Sequence, residues 1–317
     1  MNYESIKQAK EKLEKIIRKT PLIKTSLSDK CNLYIKPENL QITGSFKVRG
    51  AFNKMCNLTP EEKEKGVIAC SAGNHAQGVA LAASMMKIKS VICMPKSAPK
   101  IKIDSTRNLG AKVVLVDGVY DDAYEAALEL QKKKGYTFVH PFNDEDVIVG
   151  QGTIGLEVLD ELPNTDIIVC AVGGGGLIAG IAFGAKHINP NVKIYGVQSA
   201  GAPSMYASFA NGYVTRLNSV KTFADGIAVK EVGNITLDIV KEYVDDILTV
   251  EEDEILDAIK LMMTKEKVIA EGAGGAPVAA ALRGYVPDCE GKNVVCIVSG
   301  GNIDIDMLSK IVLNGLE

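Results

Sequence analysis

One lysine in this chain stands where an amine could react rather than merely carry charge. Lys47 follows Thr43-Gly44-Ser45-Phe46 and precedes Val48-Arg49-Gly50-Ala51, so a small, turn-prone entry leads into the start of a helix. Alone, such a lysine reads as an ordinary solvated cation. Its company changes that reading. Ser71-Ala72-Gly73-Asn74-His75, Gly173-Gly174-Gly175-Gly176 and Ser299-Gly300-Gly301-Asn302 each follow an apolar, strand-like run. Open α/β sheets bind ligands outside the carboxyl ends of their strands, so the three loops are candidates for one shared site. The economical chemistry is a Schiff base between Lys47 and an aldehyde cofactor that the loops hold.

The run from Gly173 to Gly176, continued by Leu177, closes a strand and opens a helix. It offers unencumbered backbone N–H groups at a helix N-terminus, which is a cradle for phosphate. The helix dipole adds about 0.3–1 kcal/mol there. A close-packed turn or a dinucleotide loop would use the same residues. Four consecutive glycines, however, lack the spacers of G-x-G-x-x-G, and no acidic ribose partner stands out, so a phosphomonoester is favoured. Ser71 to His75 form a second strand-loop-helix turn, suited to another anion such as an amino-acid carboxylate. The chain has three histidines, His75, His140 and His187, none in a nucleophile–base–orienter pattern. His75 therefore reads as packing at a helix start rather than as a base.

The elements that must position these loops alternate strictly. Short apolar runs at 67–70, 91–94, 113–116 and 137–139 are interleaved with helical patterns at 75–86, 99–109 and 120–133. The alternation restarts with a helix expected over 152–162 and continues through strands at 166–172, 193–197, 246–250 and 294–298. Helices are expected at 5–18, 47–57, 177–186, 251–265, 273–282 and 305–316, while 201–226 reads as loop. This is the signature of parallel sheets covered on both faces. Two α/β domains follow: a large one from residues 1–52 and 145–317, and a small one, 53–144, inserted into it. The site is expected in the cleft between them.

Composition narrows the partners. At 317 residues, 46% hydrophobic and 24% charged, with net charge −3, the chain is an ordinary globular protein with no call for nucleic acid or an anionic membrane. Its polar start at Met1–Lys19 is no secretory signal, and no apolar run reaches the ~20 residues of a membrane helix. Seven cysteines include no C-x-x-C pair, and Cys70, Cys93, Cys170 and Cys296 sit inside apolar runs. Buried thiols in a reducing, cytoplasmic compartment fit this better than disulfides or zinc.

These blocks, in this order and over about 20–304, resemble the serine/threonine dehydratase group of pyridoxal-phosphate enzymes, fold type II, the tryptophan synthase β family. The resemblance implies two parallel-sheet domains, pyridoxal 5'-phosphate as cofactor, a small amino acid as substrate, and a homodimer or homotetramer. It further implies that Phe46 packs near the ring, that Asn74 donates to the phenolic oxygen, and that Ser299 meets the ring nitrogen. A neutral hydroxyl there leaves the ring a weaker electron sink than an aspartate would, which favours β-elimination over transamination. Lys47 then takes the α-proton, the β-hydroxyl leaves, and 2-oxobutanoate or pyruvate and ammonia result.

Serine racemase is similar, but its pattern has a second serine where this chain has Ala72, and His-Pro-Asn where this chain has His140-Pro141-Phe142. Both departures point to a dehydratase; racemisation, 3-hydroxyaspartate elimination and a non-catalytic sensor stay open as alternatives. The family's divalent-metal carboxylates are replaced by Gln198 and Ser204, so no metal is expected, although carbonyls such as that of Ala202 leave room for a monovalent ion. Asp225, in a loop that also matches the family, is read as structural. The chain ends soon after the last block, where biosynthetic relatives carry a regulatory domain, so a short catabolic form is expected; a nucleotide effector would fit the class, but no motif specifies one.

Overall fold

The apolar runs become strands because they are β-branched and buried on both faces, a condition that only covered parallel sheets satisfy. The computed structural model describes residues 1–313. Its strands are β1 (Ile23–Lys24), β2 (Asn32–Pro37), β3 (Val67–Cys70), β4 (Ser90–Pro95), β5 (Lys112–Val116), β6 (Thr137–Phe138), β7 (Ile167–Ala171), β8 (Lys193–Ser199), β9 (Asp246–Val250) and β10 (Asn293–Val298). They form two sheets, ordered β1-β2-β10-β7-β8-β9 and β5-β4-β3-β6. Every pairing is parallel except that of the short β1 with β2.

The helices are α1 (Tyr3–Leu13), α2 (Lys47–Cys56), α3 (Pro60–Lys65), α4 (Asn74–Met85), α5 (Lys100–Asn108), α6 (Tyr120–Lys134) and α7 (Glu145–Glu161). After them come α8 (Gly176–Ile188), α9 (Ser204–Asn211), α10 (Asn234–Tyr243), α11 (Glu252–Leu261), α12 (Gly272–Arg283) and α13 (Ile305–Leu313). Several differ from expectation for identifiable reasons. α1 stops at Leu13, although Ile16 and Ile17 continue the apolar spacing; they turn back onto the core around β3 instead. α7 starts seven residues before the expected 152, because Asp144 caps it through Asp146 and Val147 and the glycines at 150 and 152 are helical. Those glycines serve packing: a Cβ on Gly152 would lie 2.8 Å from the Gly180 carbonyl of α8. α3 and α9 are short, and the sequence reading passed over them along with α10. The end of the expected helix 305–316 lies outside the described residues.

The boundary expected at 52/53 lies inside α2. Val48, Ala51, Phe52 and Met55 of that helix share a core with Val67, Ala69 and the helix α4. The helix that begins at Lys47 thus packs directly on the four-stranded sheet's layer, while the two residues before it are tied to the six-stranded sheet: Ser45 bridges Gly300, and Phe46 N–H donates to the Ser299 carbonyl at 3.1 Å. No helix among the described residues is long and apolar enough to cross a membrane.

Candidate active site

Four chain segments converge where the sheets face each other. The segment after β2 carries Lys47 as the first residue of α2, the loop after β3 carries Ser71 to His75, the loop after β7 carries the glycines, and Ser299 follows β10. Parallel pairing of β2 with β10 and of β10 with β7 brings three of these loops to one edge.

Lys47 Nζ donates to the Pro141 carbonyl at 2.9 Å and sits 5.2 Å from the Phe46 ring centroid. Burial pushes its pKa down to about 8, against the opposing charge of Glu271. A neutral, nucleophilic amine is therefore far more available near neutral pH than from a solvated lysine. The positive end of this lysine and burial together hold the two nearby histidines neutral. His75 is depressed to about 3 and His140 to about 4, burial being the larger cause in each. His75 Nε2 lies 2.8 Å from the Val139 carbonyl, so Nε2 carries the proton and the buried Nδ1 is a bare acceptor with no partner among the described residues. His140 Nδ1 accepts from Asn143 N–H at 2.8 Å and shapes the turn that presents Phe142.

The glycine loop has room for no side chain. A Cβ on Gly174 would overlap the Phe142 ring, one on Gly176 would lie 2.9 Å from Phe142 Cα, and Gly175 has φ +98°, which favours glycine. The Gly174 carbonyl accepts from Thr236 Oγ1 at 2.7 Å. No side chain caps α8. Phe142 thus lies on this loop and meets His140 edge-on at 4.6 Å. On the opposite loop, Ser71 Oγ accepts from Gly73 N–H at 3.1 Å, and a Cβ at Gly73 would meet nothing within 4 Å among the described residues. The space in front of that loop is open.

Asn74 is aimed from both sides. Its Nδ2 donates to Glu271 Oε1 at 2.7 Å, and its Oδ1 accepts from Asn302 Nδ2 at 2.7 Å. Glu271 escaped the sequence reading. It stands at the N-cap of α12 but does not cap it; it turns to Asn74 instead, and burial lifts its carboxyl to about 7. The only signal was an acidic residue ahead of the small-residue run Gly272-Ala273-Gly274-Gly275. Asp225 also has a partner: Lys102 of α5 reaches it at 2.8 Å, with Asp304 at 3.6 Å, linking the two sheet layers across the cleft. Gln198 is wholly buried; its amide donates to the Val172 carbonyl at 3.0 Å and accepts from Met205 and Tyr206 N–H at 2.8 and 2.9 Å. Its hydrogen bonds are spent within the protein.

A lysine amine of lowered pKa, a side-chain-free turn with an uncapped helix start and an open anion loop fit an aldehyde that bears a phosphate. The chain matches the family model described as pyridoxal-phosphate dependent enzyme over residues 13–300. The chain belongs to that family. Lys47 and the glycine loop thus sit in an enzyme that uses pyridoxal phosphate. An L-threonine ammonia-lyase of Thermotoga maritima is 50% identical over 99% of this chain and 78% of its own. The processed form of threonine deaminase isoform 2 from Solanum lycopersicum superimposes with a TM-score of 0.93 at 42% identity, covering 98% of this chain and 92% of that one. Maize serine racemase also reaches 0.93, at 34% identity, over 98% and 96%. The expected fold type II architecture is the one these structures share.

Proposed function

We propose that the protein eliminates the β-hydroxyl of L-threonine, and more slowly of L-serine, releasing 2-oxobutanoate or pyruvate and ammonia. The observation that carries this reading is the Lys47 amine, depressed to about 8 at the meeting of four strand-end segments, in a chain half identical to a threonine ammonia-lyase. Pyridoxal phosphate supplies an aldehyde for amines and a ring that takes up the electron pair left at the α-carbon. Backbone N–H groups of Gly173 to Gly176 and Leu177 hold the phosphate. The loop Ser71-Ala72-Gly73-Asn74-His75 holds the substrate carboxylate through the backbone N–H groups of Ala72, Asn74 and His75, while those of Ser71 and Gly73 donate to the Cys93 carbonyl and to Ser71 Oγ. Lys47 Nζ removes the α-proton, and Asn74, aimed by Glu271 and Asn302, donates toward the phenolic oxygen. Ser299 would offer a neutral hydroxyl to the ring nitrogen, and Phe46 would pack beside the ring. One substrate methyl is worth about 1–3 kcal/mol in an apolar pocket, so serine should be turned over, but less well.

Residues 53–144 and the flanking 1–52 and 145–317 are read as two domains that enclose the substrate. The protein is further read as a cytoplasmic homodimer or homotetramer; seven free cysteines and exposed apolar side chains such as Leu40, Ile269 and Ile305 support this. Light scattering measures the assembly, and assays with and without added nucleotide test for an effector.

The deciding experiment measures 2-oxo acid from L-threonine, L-serine, D-serine and 3-hydroxyaspartate, alongside Lys47→Ala. L-threonine should be the best substrate, and the variant should lose both turnover and the visible absorbance of bound cofactor. Faster conversion of L- to D-serine than elimination would favour the racemase reading, for which Ala72 lacks a hydroxyl. A variant that kept full turnover would remove Lys47 from its role.

A further inference from the structure

The turn that carries Lys47 is held from behind by a closed set of buried charges. Lys47 and Arg49 are two residues apart at the start of α2, which points them to opposite sides of the helix. Lys47 faces the cleft, whereas the Arg49 side chain is 0% exposed. All five guanidinium N–H groups are used. Nε and Nη2 fork onto Glu38 at 2.7 and 2.8 Å, Nη1 and Nη2 fork onto Glu157 at 2.5 and 2.9 Å, and Nη1 also donates to Thr153 Oγ1 at 3.0 Å. Lys36, equally buried, closes the set through Glu157 at 2.9 Å, Glu161 at 3.2 Å and the Thr20 carbonyl at 2.6 Å. Thr20 in turn donates to Glu38 at 2.6 Å.

This set joins three elements around one helical turn. Glu38 follows β2, Glu157 and Thr153 lie on α7, and Arg49 belongs to α2. The backbones are equally confined. A Cβ on Gly150 of α7 would lie 2.6 Å from the Arg49 carbonyl, and one on Gly78 of α4 would lie 3.1 Å from the Lys47 carbonyl. The first turn of α2 can neither slide nor rotate without breaking a fork or a backbone contact. Burial raises the cost of every charge here, and buried ion networks are commonly no more stabilising than apolar side chains of the same volume. What a doubly forked guanidinium supplies that apolar packing does not is a fixed plane and a fixed distance.

We propose that Arg49 is a positioning residue for the reaction: its clamp between Glu38 and Glu157 sets the aim of the Lys47 amine from the far side of the same helical turn. Arg49 touches neither substrate nor cofactor and acts through the helix. A misplacement of about 1 Å at the reacting atom can cost about a hundredfold in rate, and Lys47 sits within one turn of the clamp. The inference rests on Lys47 being the reactive amine, which Lys47→Ala tests separately.

The test is Arg49→Lys, which keeps the charge but replaces two forks with a single point. Two readings are taken. In the holoenzyme, kcat should fall about 10- to 100-fold while KM for L-threonine stays within about twofold. In the protein without cofactor, competitive labelling with acetic anhydride, read by peptide mass spectrometry, should show the Lys47 amine titrating above its wild-type value of about 8, because a loosened turn lets it reach water. The labelling result does not depend on which amino acid is the substrate. Thr153→Val, which removes one acceptor and no charge, decides the matter if Arg49→Lys does not fold; it should lower kcat several-fold at constant KM. A variant whose thermal stability drops while kcat and the Lys47 titration stay at wild-type values overturns the proposal and leaves Arg49 a purely structural residue.

Discussion

Adding one methyl group at Gly174 should weaken cofactor binding by way of a single aromatic ring. A Cβ built there overlaps Cγ, Cδ1 and Cδ2 of Phe142. Carbon atoms rest at about 3.5–4.0 Å, so the ring or the loop must move by about an ångström or more. The ring has little freedom, since its own Cα lies 2.9 Å from where a Gly176 Cβ would stand and its neighbour His140 meets it at 4.6 Å. The loop would therefore shift, and with it the amides proposed to hold the phosphate. Overpacking of this kind costs about 1–3 kcal/mol, which at 1.4 kcal/mol per decade is about a 5- to 150-fold loss of affinity. The assay is a spectroscopic titration of the cofactor-free protein with pyridoxal phosphate in a double-mutant cycle. Phe142→Ala should restore most of the affinity that Gly174→Ala removes. Gly175→Ala is the control: its cost is backbone strain at φ +98° and crowding against Met205 and Thr236 rather than Phe142, so Phe142→Ala should not relieve it. If Gly174→Ala costs as much without the ring as with it, the packing argument is wrong.

Two further outcomes follow from charges around the cleft. The ordinary glutamate pKa near 4.5 is lifted to about 7 at Glu271, so the folded state holds this proton more tightly than the unfolded chain. Its stabilising contribution is complete below about 4.5 and is lost as pH rises through about 7. Glu271→Gln preserves the neutral form, so the Tm of the cofactor-free protein should fall less between about pH 5 and pH 8 than in the wild type, and an identical fall would show the carboxyl to be solvated. Lys102→Met removes the ion pairs to Asp225 and Asp304, whose carboxylates are 70% and 48% exposed. Such a pair is worth less than about 1 kcal/mol, so urea unfolding should shift by no more than that, and a larger loss would mean the cleft relies on it for stability.

Local chemistry in this chain speaks for itself wherever one segment suffices. The glycine run, the lysine after a Gly-Ser-Phe entry and the serine after the last apolar strand could be read in order, because a strand-turn-helix motif is written in consecutive residues and parallel sheets bring such turns to one edge. Helix edges were less legible. Ile16 and Ile17 keep a helical spacing that only the neighbouring core, which draws them back, interrupts, and the helix expected from Gly152 begins at Glu145, where Asp144 caps it and Gly150 and Gly152 fit closely against α2 and α8.

What no spacing could disclose is who faces whom between elements, in one case 197 residues apart. Asn74 meets Glu271, Lys47 meets the Pro141 carbonyl, and Arg49 is clamped between Glu38 and Glu157. Each residue alone is an ordinary polar side chain with many solvated alternatives. Burial decides among them, because a charge or amide taken out of water must find a partner within reach, and only the folded sheets determine which partner that is. The sequence by itself thus determined the candidate groups and the order of their loops; tertiary packing decided how deeply each is buried and which partner it meets.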